Sequence, residues 1–323
     1  MDIANHPALR RLTKARIGDR FGNRANDNFT FSRMLKWFLS APDFSLEQFL
    51  LEHYPNQAFV GRSGYGPEGT MTTLAKNVRA LYWNGEEFET SVFPGAAVVA
   101  DEYQAFARSL LRCLEGASNP LVVELGSGTG MVQFHVRQVA AETGQQVKFI
   151  GFEFNPYALL FSELIAERFG ISIVNNMVDL AASIQDVGHL EEIRRRIHEA
   201  AEGRPIYVMT HGGLHPFFDD NFYCRLFPFL IDQVGVVGGV HEELIGFRTP
   251  AFSRLRAAVS EAPSIKSPFV DNRANPLGYL EENADKLDIS MTRRIEIVAH
   301  FPNRHFPSFL SWERRGRPPG QRQ

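Results

Sequence analysis

The run VELGSGTG, Val123 to Gly130, decides how this chain is read. Leu121 and Val122 lead into it as the start of a short apolar, β-branched stretch, and Val132, Val136 and Val139 follow it at helical spacing. Glycines at such a strand-to-helix junction let the backbone turn tightly and let a ligand approach with no Cβ in the way. The first N–H groups of the following helix have no partner in the helix and carry partial positive charge, so the anionic end of a ligand is expected at this junction. The spacing is GxGxG rather than GxGxxG, which sets the third glycine one place early for the pyrophosphate turn of a dinucleotide site.

Outward from this run the pattern is that of consecutive βαβ units and a parallel sheet. Short apolar runs predict strands at Leu121–Leu125, Val147–Phe152, Ile171–Val174, Ile206–Met209 and Val234–Val240, and a hairpin-like pair at Arg293–Phe301 and Ser308–Glu313. Asn155 followed by Pro156 opens a helix that stops at Gly170. Upstream of Asn119 and Pro120 the chain reads as helical, over Phe31–Leu39, Ser45–Tyr54 and Asp101–Leu114, with Ser45 and Asp101 as N-caps. The expected organisation is a mainly helical cap over residues 1–118, an α/β domain over 119–315 and a tail over 316–323.

The second strand runs into GFEFNP, and Glu153 at its tip can accept hydrogen bonds from both hydroxyls of an adenosine ribose. VELGSGTG, GFEFNP and the closing strands IEIVAHF and SFLSWER together resemble the class I, Rossmann-like methyltransferase superfamily, over roughly Asn119 to Arg315. The resemblance implies a mostly parallel seven-stranded sheet with helices on both faces, and S-adenosylmethionine as cofactor. It implies that Gly126, Ser127, Gly128 and Gly130 hold the methionine moiety, that Glu124 lies near its amino group and that Glu153 holds the ribose. After the third strand, where the family commonly has an acid for the adenine amino group, this chain has Met177, which leaves Asn176 or Asp179 to substitute. Asp179 reads equally as the N-cap of the next helix.

Methyl transfer from a sulfonium needs alignment and exclusion of water, with a base where the acceptor must lose a proton. The loop THGGLHPFFDDN after the fourth strand makes His211 the first candidate, His215 the second, and His241 with Glu242 at the end of the fifth strand the third. Asp219, Asp220 and Asn221 read as a helix N-cap cluster, and no metal site is expected. No (N/D)PPY motif follows the fourth strand, which directs the expectation away from amino methylation of nucleobases or glutamine. A small-molecule acceptor is expected, methylated at oxygen rather than nitrogen, in a pocket drawn from Trp37, Phe38, Tyr54 and Tyr65, under a lid over Val60–Gly69 or an ordinary loop there. The rival readings are a nicotinamide-dependent oxidoreductase, a non-catalytic cofactor-binding regulator and a protein-directed methyltransferase.

Composition narrows the setting. The chain has 323 residues at 44% hydrophobic content, enough for one large α/β core and an appendage. Its 34 basic and 37 acidic side chains leave a net charge of -3, so neither nucleic acid nor an anionic membrane is an expected partner. Cys113 and Cys224 stand in no metal or disulfide pattern, and no signal peptide or apolar span is evident, so a cytoplasmic enzyme is expected, with a homodimer through the N-terminal helices as a further expectation.

Overall fold

The computed structural model describes residues 96–153, 172–211, 220–243, 276–295 and 308–315, together with 158, 159, 162, 163, 166 and 170. In chain order the elements are α1 (Ala96–Cys113), β1 (Leu121–Leu125), α2 (Met131–Thr143), β2 (Lys148–Glu153), β3 (Asn175–Met177), α3 (Leu180–Ser183), α4 (Val187–Ala201), β4 (Ile206–Thr210), α5 (Asp220–Pro228), which continues into a π-helical turn (Phe229–Val234), β5 (Gly238–Glu243), α6 (Pro276–Asn283), β6 (Ile289–Ile295) and β7 (Ser308–Arg314).

The strands form one seven-stranded sheet in the order β3-β2-β1-β4-β5-β7-β6. Strands β1 to β5 are mutually parallel and β7 runs antiparallel to both of its neighbours. The chain steps one way from β1 to β2 and β3, then returns to the other side of β1 with β4 and β5. The reversal falls between β1 and β4, and a crevice outside the carboxyl ends of the strands opens at such a switch point.

Alternation along each strand divides the two faces. Leu121, Val123 and Leu125 belong to a buried core with Ile193 and Ile197 of α4 and Phe222, Tyr223 and Leu226 of α5. The opposite face is covered by α1 and α2: Phe106 of α1 meets Phe309 of β7 edge-on, and the Arg137 guanidinium of α2 lies 5.0 Å from the centre of the Phe149 ring. Gly144, in the left-handed region at φ 70°, ends α2.

The seven-stranded Rossmann-like expectation is met, with several boundaries corrected. The third strand is Asn175–Met177 rather than Ile171–Val174, the fifth is Gly238–Glu243 rather than Val234–Val240, and the sixth begins at Ile289 rather than Arg293. Asp101 is not an N-cap, because α1 starts five residues earlier at Ala96. The helices predicted at Phe31–Leu39 and Ser45–Tyr54, the aromatics Trp37, Phe38, Tyr54 and Tyr65, the glycine-rich loop Val60–Gly69, His215, Asp219 and the tail 316–323 all lie outside the described residues, as does most of the helix predicted from Asn155 to Gly170.

Candidate active site at the carboxyl edge of the sheet

Registry between strands assembles the site. Glu124 pairs with Gly151 on one side and with Met209 on the other, and Gly151 pairs with Asn175, so these four residues form one lateral rank on the face under α2. One repeat further along, at the carboxyl edge, the same face carries Met177 of β3 beside Glu153 of β2, the glycine loop after β1, His211 just after β4 and Glu242 of β5. Residues from positions 124 to 242 are thereby drawn into a line across five strands.

In the inner rank, Gln133 of α2 is fully buried and ties two strands together. Its Nε2 donates to Glu124 Oε2 at 2.9 Å and to Asn175 Oδ1 at 2.9 Å, while its Oε1 accepts from the Val174 N–H at 3.1 Å. The slot it occupies exists because residue 151 has no side chain: a Cβ there would lie 2.1 Å from Asn175 Oδ1 and 2.8 Å from Gln133 Nε2. Burial raises the Glu124 carboxyl to about 8, against the pull of the Gln133 hydrogen bond and with a further push from the charge of Glu153.

The loop itself is shaped by three left-handed glycines, Gly126, Gly128 and Gly130. At Gly130 (φ 77°) a Cβ would come within 2.2 Å of Ile173 Cγ2, whereas at Gly128 (φ 53°) it would meet nothing within 4 Å, so Gly128 borders open space. Glu153 reaches the loop directly, accepting from the Gly128 N–H at 2.7 Å. The Gly126 and Ser127 N–H groups donate to the Phe152 carbonyl at 2.9 and 3.2 Å, and that of Gly130 donates to the Ser127 carbonyl at 2.8 Å. These four loop donors are used within the protein. What remains for an anionic group is the start of α2, which Gly130 leaves without a side-chain cap. The Ser127 hydroxyl is buried with no hydrogen-bond partner.

The remaining cofactor candidates separate. Asn176 alternates to the face opposite Glu153, and its amide donates to the Gly151 carbonyl at 3.4 Å. Asp179 caps α3, its Oδ1 accepting from the Ala182 N–H at 3.0 Å. Asn175, which the sequence reading passed over, shares the rank of Glu124.

The histidines also part company. His211 Nδ1 lies 3.7 Å from Glu242 Oε2, with both side chains largely buried. Its ring packs against Tyr103 at 4.8 Å and edge-on against Phe106 at 5.0 Å, both from α1. His241 is corrected out of the candidate bases: it is fully buried, its Nε2 accepts from the Trp312 indole N–H at 2.9 Å, and its Nδ1 pairs with Thr210 Oγ1 at 2.8 Å. With Nε2 accepting, the neutral ring carries its proton on Nδ1, and no lone pair is left to take another. Sequence reasoning missed His135 of α2, which stacks on Tyr103 at 5.0 Å and whose two ring nitrogens are buried without a hydrogen-bond partner. Burial, with a contribution from His211, lowers it to about 4. Its signal in the sequence is a titratable side chain on an otherwise apolar helix face, between Val132, Val136 and Val139. No group of three or more metal-ligating side chains occurs among the described residues, and no helix among them is long and apolar enough to cross a membrane.

No family model and no curated protein matches the chain. Among solved structures it is similar to the magnesium protoporphyrin IX methyltransferase of Synechocystis PCC 6803 with bound SAH, at 12% identity over 75% of this chain and 94% of that one, with a TM-score of 0.44. It is also similar to a structure described as a putative O-methyltransferase from Klebsiella pneumoniae, at 9% identity over 84% of this chain and 96% of that one, with a TM-score of 0.41. Likenesses of this strength add no weight to the reading, which rests on the strand order and connectivity. By that order and its single reversed strand, the described part of the chain has the fold of the class I, Rossmann-like methyltransferases.

Proposed function

We propose that this chain is an S-adenosylmethionine-dependent methyltransferase that methylates an oxygen, in preference to a nitrogen, of a small-molecule acceptor, with His211 as general base. The observation that carries the reading is the line Met177, Glu153, glycine loop, His211, Glu242 along one edge of the sheet. It matches an elongated ligand with a ribose at Glu153 and its reactive end towards β4.

The chain's own groups fit the cofactor. Gly128 opens onto free space beside the Glu153 carboxylate, and Ser127 brings a buried hydroxyl that lacks a partner. The buried carboxylate of Glu153, with the acid of Glu124 held protonated beside it, favours a ligand that is cationic at this end. It disfavours the pyrophosphate of a dinucleotide, the more so because Glu153 already holds the Gly128 N–H that a phosphate would use. Bound here, the cofactor would supply an electrophilic methyl group for in-line displacement from a sulfonium.

The protein's part is to orient and to move one proton. His211 would take the proton that the acceptor hydroxyl gives up on becoming methylated. Glu242, beside Nδ1, holds the ring and stabilises the imidazolium that results. Tyr103 and Phe106 pack the ring and shield it from water. The N-terminal region, residues 1–118, is proposed to choose the acceptor. Screening metabolite extracts with methyl-labelled cofactor tests the activity. Calorimetry with S-adenosylhomocysteine tests the site: Glu153→Ala is expected to weaken binding by about 2 to 3 kcal/mol, because two ribose hydroxyls lose a charged acceptor. Unchanged affinity in that variant removes Glu153 from the site.

A further inference from the structure

We propose that Trp312, His241 and Thr210 form a bracket on one face of the sheet that sets the spacing of His211 and Glu242 on the other, an inference that rests on His211 as base. His241 and Thr210 are then positioning residues. They are register partners, and they are the last pair through which β4 and β5 are joined. His211 and Glu242 each follow by one residue, so alternation turns them to the opposite face, where His211 Nδ1 lies 3.7 Å from Glu242 Oε2.

The bracket lies on the face under α4 and α5. There the Trp312 indole stands over Gly239, its register partner, where a Cβ would come within 2.9 Å of the indole nitrogen. That clearance lets the indole N–H reach His241, two residues along β5, and donate to Nε2 at 2.9 Å. The neutral ring then carries its proton on Nδ1 and donates it to Thr210 Oγ1 at 2.8 Å. Phe227 of α5 meets the same ring edge-on at 5.6 Å. All three members of the bracket are buried, and their bond closes the ladder at its last rung. A buried side-chain bond at that point holds two strand ends at a fixed spacing, and the residues that follow inherit it.

On the other face His211 meets Glu242 of β5 and Tyr103 and Phe106 of α1, with His135 of α2 within electrostatic reach. Glu242 follows His241 directly, so it is the group whose distance the bracket governs. At 3.7 Å the two are coupled by charge rather than by a hydrogen bond, and that coupling weakens as the strands part.

The test follows the titration of His211 by NMR in the full chain with isotope-labelled histidine, its signal assigned by its loss in His211→Gln. Glu242→Gln gives the full effect of losing the carboxylate and is expected to lower the His211 midpoint by about one pH unit. Thr210→Val keeps the shape of the side chain and removes its oxygen, and Trp312→Phe keeps an aromatic ring and removes its N–H. Each is expected to lower the midpoint by about half a pH unit, while Thr210→Ser, which keeps the hydroxyl, stays at the wild-type value. A purely structural bracket would cost stability in Thr210→Val and Trp312→Phe and leave the His211 midpoint where it was, and that result overturns the proposal. An unchanged midpoint in Glu242→Gln removes the pair itself and overturns the catalytic reading of His211 with Glu242 together with this inference, so the two failures are told apart.

Discussion

On the β1–β2–β3 side of the site, buried polar groups are satisfied within the protein apart from the Ser127 hydroxyl: Gln133 serves Glu124, Asn175 and Val174 at once, and Glu153 closes on the glycine loop. Among the buried histidines the pairing is uneven. His241 has both nitrogens paired, while His135, on the other side of the α1 aromatics, has neither. A satisfied buried polar group rigidifies a fold, and an unsatisfied one costs stability that the fold must find elsewhere. The networks of Gln133, Glu153 and His241 thus hold a shape, whereas Ser127 and His135 keep buried polar atoms without a partner.

The contrast can be broken at His211 first. His211→Ala is expected to lower turnover of the acceptor found by labelled-cofactor screening by about a hundredfold, with affinity for S-adenosylhomocysteine preserved. Normal turnover would leave alignment alone to account for catalysis.

His241→Leu should destabilise the ligand-free protein by about 2 to 3 kcal/mol in chemical denaturation, because it strands the Trp312 indole N–H and the Thr210 hydroxyl in the core. A neutral result would mean that the pairing of His241 does not hold β5 to β7 and β4.

Glu124 offers a pH signature. Its folded carboxyl sits near 8 against an ordinary 4.5, so the folded state binds the extra proton between those values, and stability falls as pH rises through that window. The groups around it are Gln133 from α2 and Glu153 from β2. Melting temperatures between about pH 5 and about pH 8 should decline more steeply for the wild type than for Glu124→Gln, whose amide does not titrate. Parallel curves would place the charge elsewhere.

The smallest effect carries the opposite sign. His135→Leu should raise the melting temperature of the ligand-free protein by about 2 to 4 °C, since it removes two unpaired nitrogens from the interior. The imidazole sits near 4 when folded, so the wild type loses stability as pH falls from about 6.5 towards 4, and the gain from leucine should be larger at acid pH. A loss of stability in His135→Leu would show that the imidazole is held by its packing on Tyr103.

How far the sequence can be read depends on the element. The first strand, Leu121–Leu125, is legible to the residue because Pro120 precedes it and the glycine loop ends it. The third is misplaced by four residues, since β-branched Ile171–Val174 outscores Asn175–Met177 on local preference, and a strand at the sheet edge is set by what it pairs with. Asn175 earns its position through Gln133, a partner 42 residues away. The fifth strand starts late for a similar reason: Gly235, in the left-handed region, ends the preceding helical turn, and the strand continues into His241 and Glu242, polar residues whose partners lie on β4, β7 and just beyond β4.

What the amino-acid sequence determined unaided is local: the strand, the glycine turn and the helix that follows, an acid at the next strand end, and a histidine after the fourth. These follow from backbone sterics and periodicity, which act over a few residues. Which histidine is fully paired, which asparagine shares the face of Glu124 and what lies beside Glu153 were decided only by registry across the sheet, because the period of two in a strand assigns every side chain to a face once its neighbours are in place.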